Sequence, residues 1–231
     1  MKVVEIAALR NKIHIFKNRL HAGMRLADEL KQHVERDAVL LALPSGGVPV
    51  GYAVSKSLRL PLDVAVVRKI QIPWNTEAGF GAISWDGSLI LNDSLVKELG
   101  LTPSQIEESI AHTKKILSKR TRKFRGNRPA PQMQSRTVIL VDDGLASGYT
   151  MTTAVDSVRR HEPQKIIVAV PTGSRGAVRL VSSKANLTVC LNIREGPFFA
   201  VADAYEDWHD LTDDEVVQYL DRAHSEVSSV E

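Results

Sequence analysis

The chain has 231 residues, 43% hydrophobic and 25% charged, a balance typical of a globular protein that buries a sizeable core without disulfide or metal staples. Its one cysteine, Cys190, excludes a disulfide framework within the chain, and nowhere do about 18 apolar residues run together as a membrane span would need. The formal charge of +3 is unevenly spread: eight Lys/Arg and no acids stand between Lys114 and Arg128, so the remainder carries −5.

The opening residues, MKVVEIAALRNK, hold no long apolar region with a cleavage site, so a cytoplasmic location is expected. Phe16-Lys17-Asn18-Arg19 then leads into Leu20, Met24, Leu26, Ala27 and Leu30, an amphipathic stripe that predicts a helix over 18–32. The apolar run 38–43 predicts a core strand. It passes into Pro44-Ser45-Gly46-Gly47-Val48-Pro49, where two glycines permit close backbone approach to an anion, and a helix is expected over 48–58. A second core strand, 62–67, is expected to end in Arg68 and Lys69; adjacent cations there face either solvent or an anion.

About seventy residues separate this strand from the next, too many for a plain crossover. Trp85-Asp86-Gly87 between apolar runs signals a hairpin, and Thr102-Pro103-Ser104-Gln105 is a capping box opening a helix to about Phe124. The insertion, about 70–135, is a candidate lid.

Val138, Ile139, Leu140 and Val141 form a third strand, followed by Asp142, Asp143, Gly144, Leu145, Ala146, Ser147, Gly148, Tyr149 and Thr150 and by a helical pattern over 148–160. Ligands of open α/β sheets bind at the carboxyl ends of strands, and a helix N-terminus amid small residues favours an anion. The acids stand too far ahead of that helix to cap it. Together the turn offers a phosphate cradle beside two carboxylates able to hold ribose hydroxyls or a metal. Strands over 165–170 and 187–191, a helix over 175–183 with Ser174 as its cap, and a second capping box at Thr212-Asp213-Asp214-Glu215 complete the pattern. Strands alternating with helices predict an α/β fold with a parallel sheet covered on both faces. The histidines show no zinc-ligand spacing, and P-loop and dinucleotide fingerprints are absent.

The stretch from Val138 to Thr150 resembles the signature with which type I phosphoribosyltransferases bind 5-phospho-α-D-ribosyl 1-pyrophosphate (PRPP), with Ser147 where threonine is commoner. The segments 16–30, 61–82 and 198–216 also resemble a subgroup described only as predicted phosphoribosyltransferases, so the likeness covers most of the chain. It implies a mostly parallel five-stranded sheet flanked by helices, with a core of about 16–69 and 136–193, the inserted hairpin/helix lid, and a small hood at about 194–231, all in one domain.

The resemblance further implies Mg²⁺-dependent transfer of the phosphoribosyl group from PRPP to a nucleobase or amine, releasing pyrophosphate. Asp142 and Asp143 would be catalytic and would hold Mg²⁺, directly or through water. Ala146, Ser147, Gly148, Tyr149 and Thr150 would bind the 5-phosphate; Ser45, Gly46, Gly47, Arg68 and Lys69 would bind pyrophosphate. Related sequences commonly carry Arg where Ser45 stands, so one expected cation is missing. Ala146 replaces an Asp that handles the base proton in 6-oxopurine enzymes, which disfavours those substrates unless a carboxylate such as Glu77 substitutes. Phe198 and Phe199 would stack on a planar acceptor, with ordinary packing as the alternative. A homodimer is expected by resemblance alone. The competing reading is a PRPP- or nucleotide-sensing regulator without turnover, its 114–128 cations binding nucleic acid, although aromatic interleaving that would support base stacking is sparse.

Overall fold

A computed structural model describes residues 2–34 and 37–228, apart from the side chains of Thr76, Glu77, Val227 and Ser228. The acceptor role expected of Glu77 therefore falls outside the described side chains. The elements in order are β1 (Val3–Val4), α1 (Arg19–Leu30), β2 (Ala38–Ala42), α2 (Gly47–Leu58), β3 (Leu62–Val64), β4 (Val67–Ile72), β5 (Asn75–Ser84) and β6 (Leu89–Leu91). There follow α3 (Asp93–Glu98), α4 (Pro103–Arg125), β7 (Thr137–Val141), α5 (Tyr149–Arg159), β8 (Lys165–Ser174), α6 (Arg175–Ser182), β9 (Leu187–Arg194) and α7 (Asp213–Ser228).

The main sheet is parallel, in the order β1-β9-β8-β7-β2-β3. It has six strands, not the expected five, because Val3 and Val4 add an edge strand alongside Thr188 and Val189. From the central pair β2–β7 the chain continues outward in opposite directions, to β3 on one side and to β8 and β9 on the other. The strand order thus reverses between β2 and β7, and the crevice at such a switch point is where open α/β sheets bind ligands.

Period-two alternation divides the strands between two cores. Leu40, Ala42, Ile139 and Val141 face the side covered by α1, α2 and α7, where Phe16, Leu26 and Leu220 are buried. Val39, Leu41, Val138 and Leu140 face α5 and α6, with Met151, Val155 and Val178. Cys190 lies in this second core, fully buried, and burial pushes its thiol up to about 12.

One predicted strand divides. Hydrogen bonding to β2 ends with Ala65, whose N–H donates to the Ala42 carbonyl at the last residue of β2. Beyond it no partner strand remains, and Val67–Ile72 turns into a separate antiparallel sheet of order β4-β5-β6. Arg68 and Lys69 are consequently not at the end of a core strand; they sit early in β4, paired with Ile83 and Ala82. The unbroken apolar sequence of 62–67 conceals this change of sheet. Conversely, β8 and β9 extend to Ser174 and Arg194, since Thr172, Gly173 and Ser174 pair with Asn192, Ile193 and Arg194. Residues 171–174, between the expected strand and the expected helix, thus belong to β8.

Local signals hold where their chemistry is self-contained. Thr102 accepts from the Gln105 N–H while Gln105 Oε1 accepts from the Thr102 N–H, so α4 opens on a complete capping box with Pro103 in its first turn. Thr212 and Glu215 repeat the arrangement at α7. Ser174 caps α6, accepting from Ala177 N–H, and Gly87, at φ 84°, closes the Trp85–Gly87 hairpin.

Candidate active site

The loops after β2 and β7 meet at the switch point, and the contact explains their glycines. A Cβ on Gly46 would lie 1.8 Å from Asp143 Oδ2, and one on Gly47 would lie 2.7 Å from the Val141 carbonyl oxygen. No side chain fits at either place. The Gly46–Gly47 turn and the Asp142–Asp143 pair therefore form one surface. Among the described residues, the N–H groups of Ser45 and Gly46 donate to no protein acceptor, whereas Gly47 N–H donates to Leu43 O.

The turn after β7 is anchored on β8. Leu145 N–H donates to Thr172 O, Ser174 N–H donates to Leu145 O, and Ser174 Oγ–H donates to Ala146 O. Gly148, at φ 80°, precedes α5 with no side-chain cap, so the first-turn N–H groups of α5 are open to a ligand. Gly144, Leu145 and Gly148 are buried, while Ala146, Ser147, Tyr149 and Thr150 are exposed around that helix start.

Behind the acids lies a group of residues that motif reading missed. Arg19 Nε donates to Asp143 Oδ2 at 2.9 Å, its Nη1 donates to the His209 carbonyl, and its guanidinium lies 3.8 Å from the centre of the Trp208 ring. Arg19 is the first residue of α1, where the helix dipole disfavours a cation; Asp143 and Trp208 supply the compensation. Tyr205 Oη donates to Asp143 O at 2.6 Å and packs on Phe16 with ring centres 5.8 Å apart. The sequence signal was a cation at the head of an otherwise apolar helical stripe.

Burial, reinforced by the Asp143 charge, holds the Asp142 carboxyl well above the usual carboxylate range. Burial also raises Asp143, opposed by Arg19. Two acids kept together against their ionisation are stabilised by hydroxyl donors or a divalent cation, and ribose hydroxyls or Mg²⁺ would supply either. Asp142 and Asp143 suit a cation that brings its remaining oxygen ligands with a phosphate substrate. Among the described residues no third His, Cys, Asp or Glu gathers with them as a further ligand.

Beside Ala146 opens a cleft of about 520 Å³, lined by Ser174, Arg175, Arg194, Glu195 and Phe199, among others. Arg194 is fixed by Asp203 and lies 5.2 Å from the Phe199 ring centre; Arg175 pairs with Glu195 at 3.2 Å. Of the two expected aromatics, Phe199 lines this cleft, while Phe198 is 89% exposed and is not among its lining residues.

The basic run 114–128 faces acids of α7 and β3. Arg120 pairs with Asp213, Lys123 with Asp214, Arg128 with Asp221 and Arg125 with the buried side of Asp63. Much of the 114–128 charge thus docks α4 onto α7 and β3.

A strand-order reversal flanked by a glycine turn and a paired-acid turn defines an open α/β fold with a candidate anion-binding crevice at its switch point. The model of the phosphoribosyl transferase domain matches residues 10–206, and the chain belongs to that family. It is 40% identical over 210 residues to two Mycobacterium tuberculosis proteins (strains CDC 1551 and H37Rv), each named "Putative phosphoribosyl transferase". The match covers 91% of this chain but 47% of theirs, so the chain spans about half the length of these curated relatives. A crystal structure of a Thermus thermophilus protein superimposes with a TM-score of 0.76 at 35% identity, covering 89% of this chain and 97% of that one. No described helix is long and apolar enough to cross a membrane.

Proposed function

We propose that the chain transfers a 5-phosphoribosyl group from PRPP to a small nucleophilic acceptor, with Mg²⁺ accompanying the pyrophosphate. The observation that carries this reading is the interlock of Gly46 with Asp143 at the β2–β7 switch point, which joins an anion-accepting turn to a pair of acids. The uncapped start of α5, with Ser147 and Thr150, suits the 5-phosphate. The free N–H groups of Ser45 and Gly46 suit the pyrophosphate. Mg²⁺, when bound, neutralises the leaving pyrophosphate.

Asp142 and Asp143 receive the ribose hydroxyls and offset the positive charge that grows on the ring as the anomeric C–O bond to pyrophosphate breaks. The acceptor adds to that carbon from the cleft beside Ala146, and its proton passes to Glu195, the carboxylate lining that cleft. Ala146 itself brings no acid-base group, so a 6-oxopurine acceptor would depend on Glu195 for the transfer of its proton.

The test is pyrophosphate release from PRPP and Mg²⁺ across a panel of nucleobases and amines. Asp142→Asn with Asp143→Asn should lower turnover by at least about a thousandfold, the scale of removing electrostatic transition-state stabilisation, while the circular dichroism spectrum is retained. Unchanged turnover in that variant would remove the acids from the mechanism. PRPP binding with no release for any acceptor would favour the sensing reading. Ion pairs with α7 engage three of the eight cations that its nucleic-acid form would use.

A further inference from the structure

The geometry points to Arg120, on the inserted helix α4, as a diphosphate-binding residue of this site, held in reserve by Asp213 until the ligand arrives. This deepens the PRPP reading and rests on it.

Ser45 carries no charge, yet a cation is present beside it. Arg120 Nη2 donates to Ser45 Oγ at 2.8 Å and, from the same nitrogen, to Asp213 Oδ1 at 3.2 Å. The guanidinium lies 5.1 Å from the centre of the Phe124 ring, which limits its swing along α4. Its side chain is 29% exposed, so it is open to a ligand. Ser45 adjoins Gly46, whose Cα approaches Asp143 too closely for a side chain. The cation therefore reaches the same turn that leaves the Ser45 and Gly46 N–H groups unbonded.

Among the described residues, Arg120 is the side chain that hydrogen-bonds Ser45 Oγ. Arg68 and Lys69, also expected to serve the pyrophosphate, stand early in β4. A guanidinium presents a planar fork that matches phosphate oxygens bidentately, and a diphosphate outcompetes one partly exposed carboxylate for it. On binding, Arg120 exchanges Asp213 for a phosphate oxygen. That exchange frees one of the ion pairs between α4 and α7, while Lys123–Asp214 and Arg128–Asp221 keep the helices docked.

The two partners of Arg120 make the idea testable, because ligand binding and a structural latch predict opposite signs. Calorimetric titration of the full chain with inorganic pyrophosphate and Mg²⁺ should show Arg120→Gln weakening binding about tenfold or more, the size of a charge-assisted hydrogen bond. Asp213→Asn should tighten it about two- to fivefold, the size of an exposed ion pair. A purely structural latch would weaken binding in both variants, and that result, or an unchanged Arg120→Gln affinity, overturns the inference. Thermal melting of both variants guards against misfolding, and Arg120→Lys should recover part of the affinity. If the unaltered chain binds neither PRPP nor pyrophosphate, the PRPP reading itself fails and takes this one with it.

Discussion

Arg19 and Asp143, 124 residues apart in sequence, form a buried ion pair in which Nε donates to Oδ2 at 2.9 Å, with side-chain exposures of 8% and 14%. The pair ties the first helix to the acid turn and fixes the carboxylate against Gly46. In the proposed reaction Arg19 would act through Asp143, as a positioning residue.

Arg19→Met should therefore leave a buried carboxylate without its cation and cost about 3–5 kcal/mol, read from urea unfolding. Adding Asp143→Asn should recover part of the loss, since a neutral amide needs no counter-charge. A cost under about 1 kcal/mol would put the pair in the class of exposed bridges.

The acids also make stability depend on pH. Because the Asp142 carboxyl is raised above its unfolded value, the folded state holds its proton longer, and stability falls as pH rises from the usual carboxylate range toward the folded value. Asp142→Asn should then be more stable than the parent chain at pH 7, with the difference shrinking as pH drops through that range. Denaturant midpoints at several pH values measure this. A variant less stable at pH 7 would show that the carboxylate's own hydrogen bonds outweigh its burial. A stabilising change at a functional acid is the trade-off expected where a site is held for its ligand.

Gly46→Ala should cost about 1–3 kcal/mol as the two turns are forced apart, and should abolish PRPP binding measured by calorimetry. Gly176→Ala is the contrast. A Cβ there meets nothing within 4 Å and lies within α6, so stability should rise by about 0.4–1 kcal/mol.

Cys190 should resist iodoacetamide at pH 8 in the folded chain, because its thiol is fully buried and pushed up to about 12. Mass spectrometry should find it alkylated only in denaturant. Rapid native labelling would mean that β9 opens locally far below the global unfolding free energy.

Much of the site's frame was legible before any fold was known. The strand ending at Val141, the acids after it, the small-residue turn and the glycines at 46 and 47 each follow from chemistry within a few neighbouring residues. Both capping boxes are of the same kind, since donor and acceptor are three residues apart. The run 62–72 was not legible in the same way. Its apolar pattern suits a strand in either sheet, and only the end of β2 at Ala42 determines where it must leave.

Residue spacing and turn chemistry alone thus determined the alternation of the main strands and helices and the chemistry of the two turns, while β1 and the parting of β3 from β4 came from the sheet pairing. Arg19, Arg120, Tyr205 and Trp208 entered the site only through the tertiary structure. Their roles depend on which strands are neighbours and on how α1, α4 and the segment before α7 pack across the sheet. An isolated arginine in a sequence carries no mark of its partner. The strand order of β7 beside β2, and the burial it imposes, decided that one guanidinium meets Asp143 and another meets Ser45.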